Sequence, residues 1–128
     1  MQATTDIDDA GLARLVEAFY ARVRADSLLR DVFEDAVEDW PAHLERLAAF
    51  WSSVMLSSGR YKGTPVAAHL RHVDRITPAM FARWLDLWAE VTSVQMPSAA
   101  AAALQEKAAR IARSLQLALS AGVATAPA

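Results

Sequence analysis

Apolar residues recur at three- and four-residue steps through almost all of this 128-residue chain, and the runs are separated by cap and proline signals. That period builds amphipathic helices, whereas a half-buried strand needs strict alternation. The expected fold class is therefore all-α. Asp8 or Asp9 can cap a first helix reaching about residue 24, striped by Leu12, Leu15, Val16, Phe19, Tyr20 and Val23. A broken stretch over 27–35 carries Leu28, Leu29, Val32 and Phe33, as a helical turn or an apolar loop. Asp39 caps the next helix, with Pro41 in its first turn and His43, Leu44, Leu47, Phe50, Trp51, Val54 and Met55 along it. It stops at Ser57-Ser58-Gly59. Thr64-Pro65 opens a short helix over 65–73, and Thr77-Pro78 a longer one bearing Phe81, Trp84, Leu85, Trp88 and Val91. A last helix over 98–120 buries Leu104, Ala108, Ile111, Leu115 and Leu119, and the tail over 121–128 is expected to fray. A chain of this length forms one domain, with its core over about 9–120. Trp88 and the alanine-rich helix could serve a core or an interface, which leaves the oligomeric state open.

Composition removes several functions. With 54% apolar and 22% charged residues the chain is not a disordered segment. The absence of cysteine excludes disulfide scaffolds, zinc fingers, iron–sulfur sites and thiol catalysis. A formal net charge of −2 gives no reason to expect nucleic acid as a partner. No run approaches the roughly 18 apolar residues of a membrane span, so no membrane insertion is expected. The start, Met1-Gln2-Ala3-Thr4-Thr5-Asp6, lacks the basic and apolar regions of a secretory signal, so a cytoplasmic location is expected. The four glycines stand singly at 11, 59, 63 and 122, which leaves no phosphate-cradling loop, and no serine sits in a nucleophile elbow.

The three histidines carry the chemistry. His43 and His69 lie on apolar helix faces, and His72 is one turn beyond His69. A single histidine so placed is usually a packed core residue. Two of them on separate helices, with Tyr20 and Trp84 also pointing inward, weigh against that. Zinc needs about four ligands, and His69 with His72 supplies only two. Haem suits the pattern better: one firm imidazole on one face of a flat apolar ring, and a second helix covering the other. His69 meets the first demand and the helix of His43 the second, while Phe33, Phe50 and Trp51 supply apolar surface. Tyr20 and Trp84 would be proton donors toward a gas bound on the far side.

Six motifs then appear in register: Phe19-Tyr20-Ala21-Arg22-Val23-Arg24-Ala25-Asp26, Trp40-Pro41-Ala42-His43, Phe50-Trp51, Gly59-Arg60-Tyr61-Lys62-Gly63, Pro65-Val66-Ala67-Ala68-His69 and Phe81-Ala82-Arg83-Trp84-Leu85. Over roughly residues 12–115 the chain resembles the group III truncated haemoglobins, small bacterial globins. The resemblance implies a truncated globin fold, a two-over-two helical sandwich around haem b. It makes His69 the proximal iron ligand, Tyr20 the distal hydroxyl, Trp84 the distal indole donor and His43 the residue nearest the ligand entrance. Leu47 and Trp51 would line the distal cavity, and Phe33 would stack against the haem. Tyr61, His72, Arg75 and Arg60 are candidates for the propionates by location and charge. Met80 departs from the histidine that several members carry at that helix start.

The implied function is reversible binding of dioxygen or another diatomic gas (nitric oxide, carbon monoxide), with a role in oxygen binding or transport. The alternative is haem redox catalysis, as a nitric-oxide dioxygenase or a peroxidase supplied by an electron-donating reductase. A peroxidase gains from a carboxylate on the far nitrogen of the proximal imidazole. The residues three and four before His69 are Val66 and Pro65, neither acidic, so a backbone carbonyl is the expected acceptor.

Overall fold

The structure, a computed structural model, describes residues 7–65, 69 and 72–125, with side chains described through Ser120. Its helices are α1 (Asp9–Ala25), α2 (Arg30–Ala36), α3 (Trp40–Leu56), α4 (Pro78–Gln95) and α5 (Ser98–Thr125), and no described residue lies in a strand.

Their starts are set by local chemistry. Asp8 accepts a hydrogen bond from Gly11 N, Asp39 from Ala42 N and Thr77 from Met80 N, each satisfying a donor that the first turn leaves orphaned. Pro41 and Pro78 occupy first-turn positions that need no donor. The end of α3 is sharper than sequence suggests: Ser57, not Gly59, is the left-handed cap at φ 55°, and Gly59 follows at φ 70°. The Ser57 cap N–H reaches the Ser53 carbonyl at 3.1 Å, so the strained residue satisfies a terminal carbonyl.

Two expectations are revised. The stretch over 27–35 resolves into a turn followed by α2, because the Asp26 carboxylate takes the N–H groups of Leu28 and Leu29 and closes the turn. The last helix continues through Thr125, five residues beyond the expected end, since alanine sustains a helix that Gly122 only weakens. The expected helix over 65–73 falls largely on 66–68 and 70–71, outside the described residues. Pro65 and His69 are helical, while 72–75 form a turn closed by bonds from His72 N to His69 O and from Arg75 N to His72 O, both 2.9 Å.

Packing builds two pairs. Helix α1 lies on α3 and α4 on α5, and the α1–α4 contact joins the pairs into a two-over-two sandwich. Every expected stripe residue of α1 is buried. In α5, Leu104, Ala108, Leu115 and Leu119 are buried and Ile111 half-buried, while Ala100 and Ala101 are buried and small enough for close approach to α4. Trp88 belongs to the core rather than an interface: it is fully buried and its indole N–H donates to the Leu104 carbonyl at 3.1 Å. Trp51 of α3 stacks on Trp88 at 4.5 Å, which ties the two layers through their largest side chains. Among the described residues, no helix is long and apolar enough to cross a membrane.

Candidate functional site: two histidines and a buried tyrosine

Tyr20 stands where α1, α2 and α3 converge. Its ring is 5.8 Å from Phe33 of α2 and 6.1 Å, edge-on, from His43 of α3. Phe19 beside it is fully buried and meets three aromatic rings edge-to-face: Tyr20 at 4.7 Å, Trp84 at 5.2 Å and Trp88 at 4.9 Å. Trp84 also stacks on Trp88 at 5.6 Å. The two expected distal donors are thus held against one common wedge, Phe19.

Burial pushes the Tyr20 hydroxyl up to about 12, opposed in part by a hydrogen bond with the Trp84 indole. The hydroxyl therefore keeps its proton, and remains a donor, at any neutral pH. A consequence for stability follows. A folded-state value raised above the unfolded one contributes stability that is complete below pH 10 and is lost as pH rises through about 12. Over that window the wild-type protein is expected to lose about 2–3 kcal/mol that a Tyr20→Phe variant keeps. Urea unfolding of both proteins between pH 9 and pH 11.5 checks this; parallel curves would show that the hydroxyl is not desolvated.

His43 and His69 lie near enough for the charge of one to act on the other. Burial, the charge of Arg46 and the proximity of His69 hold His43 below the ordinary histidine value, so it is neutral at pH 7. Its Nε2 is buried without a hydrogen-bond partner among the described residues, as is Nε1 of the neighbouring Trp40. The two rings meet edge-on at 5.6 Å. On the other side, Nδ1 of His69 lies 2.7 Å from the Pro65 carbonyl. An imidazole that donates from Nδ1 to a carbonyl presents the lone pair of Nε2 outward, as a metal-ligating histidine does. The acceptor is the backbone carbonyl expected from the lack of an acidic residue one turn back.

The surroundings suit a flat apolar ring with a metal at its centre. Only Ala48, Trp51 and Ser52 of α3 are fully buried, although the helix is largely apolar. Leu44, Leu47, Phe50, Val54 and Met55 are half-buried, as are Phe33 of α2 and Met80, Trp84 and Leu85 of α4. An apolar face left half-covered, flanked by an unpartnered imidazole nitrogen and an oriented imidazole, fits haem. A surface depression of about 370 Å³ between Leu85 of α4 and Arg113, Gln116 and Leu117 of α5 does not adjoin the histidines.

The edge residues are held in specific ways. Tyr61 packs edge-on to Phe50 at 5.3 Å, and a side chain at Gly63 would come within 2.7 Å of its hydroxyl, so only glycine lets the ring settle there. Its backbone N–H donates to the Ser53 hydroxyl at 2.9 Å. Arg60 pairs with Asp9 at 2.6 Å, and Arg75 with Asp35 at 2.7 Å. Both guanidiniums are about two-fifths exposed, in a setting where ion pairs hold weakly and exchange partners readily. His72 is half-buried in the turn after His69.

Three participants escaped sequence reasoning. Trp40 reads as a helix start, yet its ring lies 6.2 Å from Tyr20 and under the Arg24 guanidinium at 4.4 Å. Asp26 and Arg83 are joined at 2.7 Å although 57 residues apart. No spacing rule could pair them.

The fold and site together define a small globin-like protein with two helical histidines and a half-covered apolar face. No protein-family model matches the chain. It is 32% identical over 92 residues to the group 3 truncated hemoglobin ctb of Campylobacter jejuni, an overlap of 69% of this chain and 72% of that one. Its structure is similar to the crystal structure of a group III truncated hemoglobin from Campylobacter jejuni, with a TM-score of 0.80 and 28% identity, covering 88% of this chain and 91% of the other. The chain belongs to the group 3 truncated haemoglobins.

Proposed function

We propose that this globin holds haem b through His69 and binds dioxygen, or another diatomic gas such as nitric oxide or carbon monoxide, reversibly on the side of Tyr20, Trp84 and His43. When bound, haem supplies an iron with one open axial position for a small ligand. The observation that carries the reading is the asymmetry of the two histidines. Nδ1 of His69 is engaged by the Pro65 carbonyl, which orients the ring for a firm axial role, whereas Nε2 of His43 is buried with no partner. His43, neutral and one turn into α3, fits a residue that guards ligand entry. Leu47 and Trp51 extend the same helix inward and keep the cavity apolar, and Phe33 supports the haem. Tyr61, His72, Arg60 and Arg75 are the residues assigned to the propionates.

The acceptor on His69 also separates the two functional readings. A carbonyl raises the basicity of an imidazole less than a carboxylate does, so the site is better suited to holding a ligand than to cleaving peroxide. Stopped-flow mixing of the ferrous protein with oxygen, then with nitric oxide, tests this. A persistent oxygen complex is the expected result. Rapid conversion to ferric haem with nitrate released would instead show competence for dioxygenation, whose multiple turnover requires an electron-donating reductase.

A further inference from the structure

We propose that Asp26 is the positioning residue of the distal donor pair: through Arg83 it sets where the Trp84 indole stands relative to Tyr20. Its importance for gas binding rests on the function proposed above; the placement itself does not.

Asp26 is the residue after α1, and its side chain is 7% exposed. One carboxylate oxygen takes the N–H groups of Leu28 and Leu29, both at 3.1 Å, and the other takes Arg83 Nε at 2.7 Å. Its backbone is committed as well: Asp26 N donates to Val23 O at 3.1 Å, and Asp26 O accepts from Arg30 N at 2.8 Å. Burial alone would raise the pKa of such a carboxyl. Arg83 and the two N–H groups outweigh it and hold the group below its ordinary value, as an anion. The carboxylate is thus a fixed point, bonded on one side to the chain that carries Tyr20 and on the other to the turn that leads into α2 and Phe33.

Arg83 directly precedes Trp84. On an α-helix one residue is a rotation of about 100°, so tying Arg83 to a fixed point fixes the azimuth of α4 and hence of the indole. Other α1–α4 contacts around the site are aromatic edges on Phe19, which hold the rings at a set distance but do not anchor the indole to a charged fixed point. Apart from the bond between the Trp84 indole and Tyr20, whose geometry is what the tie sets, a directional contact joins these helices at Arg22 and Glu90, 2.8 Å apart with both side chains about half exposed. Such a pair constrains little. The field of Asp86 and Glu90 also reaches Arg83, but its hydrogen bond goes to Asp26.

The test uses two conservative changes. Asp26→Asn keeps an oxygen for the two backbone donors and removes the charge. Arg83→Met keeps the apolar stem and removes the fork, and Arg83→Lys restores a charge in its place. In the purified protein under carbon monoxide, the indole N–H resonance of Trp84, assigned with Trp84→Phe, is expected to shift and to exchange faster in Asp26→Asn and in Arg83→Met. Arg83→Lys is expected to recover part of the change, and the double variant Asp26→Asn with Arg83→Met to add nothing beyond one single change. Oxygen release should quicken about 2- to 10-fold, the lower part of the range for coupled residues, with carbon monoxide release unchanged. A general loss of stability would lower the melting temperature without moving that resonance selectively. If Asp26→Asn does not fold, the Arg83 series decides alone, because that side chain is two-fifths exposed. An unmoved Trp84 resonance in folded Arg83→Met overturns the proposal, even where Tyr20→Phe and Trp84→Phe still alter oxygen release. A moved resonance with oxygen release unchanged upholds the placement and counts against the gas-stabilising reading of the donors.

Discussion

Replacing His69 with alanine is expected to remove the normal haem spectrum and to weaken haem retention by more than the roughly 10- to 100-fold that loss of an outer-shell partner costs a metal site. The expectation rests on geometry as well as on family membership. Nδ1 is committed to the Pro65 carbonyl at 2.7 Å, so the ring cannot turn freely, and the nitrogen left for iron is Nε2. His43 cannot substitute without cost: its Nε2 is free, but no hydrogen bond among the described residues orients its ring as the Pro65 carbonyl orients that of His69. Added imidazole should restore a five-coordinate ferrous spectrum in His69→Ala by filling the space that the side chain leaves. The same change at His43 should leave haem bound. Unchanged axial coordination and haem affinity in His69→Ala would remove His69 from the iron; loss of haem in His43→Ala alone would exchange the two roles.

What could be read from the sequence was what lies within a turn or two of its cause. The caps at Asp8, Asp39 and Thr77 act on residues three positions away, and each forms as its residue type suggests. The carbonyl partner of His69 follows from what stands one turn before it. The six inward residues of α1 follow from one period. Beyond that reach the sequence is silent. The Arg60–Asp9 and Arg75–Asp35 pairs join residues 51 and 40 apart, and neither is marked by any pattern. The order in the 27–35 stretch comes from Asp26, whose carboxylate is buried against an arginine of a helix far along the chain. Trp40 was legible as a helix start but not as a wall of the tyrosine pocket, since only the fold brings α1 and α3 together. Family resemblance supplied roles for residues; the placement of Asp26 and Trp40 came from the structure.

The second large effect is expected from the coupled loss of Tyr20 and Trp84. Tyr20 is 4% exposed and keeps its proton, since burial pushes its hydroxyl up to about 12. Trp84 is half-buried, with an N–H that can only donate. Both press on Phe19, so neither ring can withdraw far from the other. In a pocket of low dielectric, donors aimed at a ligand that gathers negative charge are worth more than in water. Oxygen gathers such charge on ferrous haem, and carbon monoxide gathers far less. A hydrogen bond to a charged or strongly polar acceptor contributes roughly 1.5–3 kcal/mol, about 10- to 160-fold in equilibrium. Tyr20→Phe removes that donor while keeping the ring that packs on Phe19, Phe33 and His43. Oxygen release should therefore quicken within that range, toward its lower end if Trp84 takes up the contact. Trp84→Phe should have the smaller effect, because its N–H also serves the Tyr20 oxygen. Removing both should cost more than the sum of the two single changes if each donor covers for the other, and a thermodynamic cycle over the four proteins measures that excess. Carbon monoxide release, followed in parallel, should change little. Oxygen release at the wild-type rate in all three variants, with haem content and fold intact, would mean that this pair fills space beside the ligand and does not hold it.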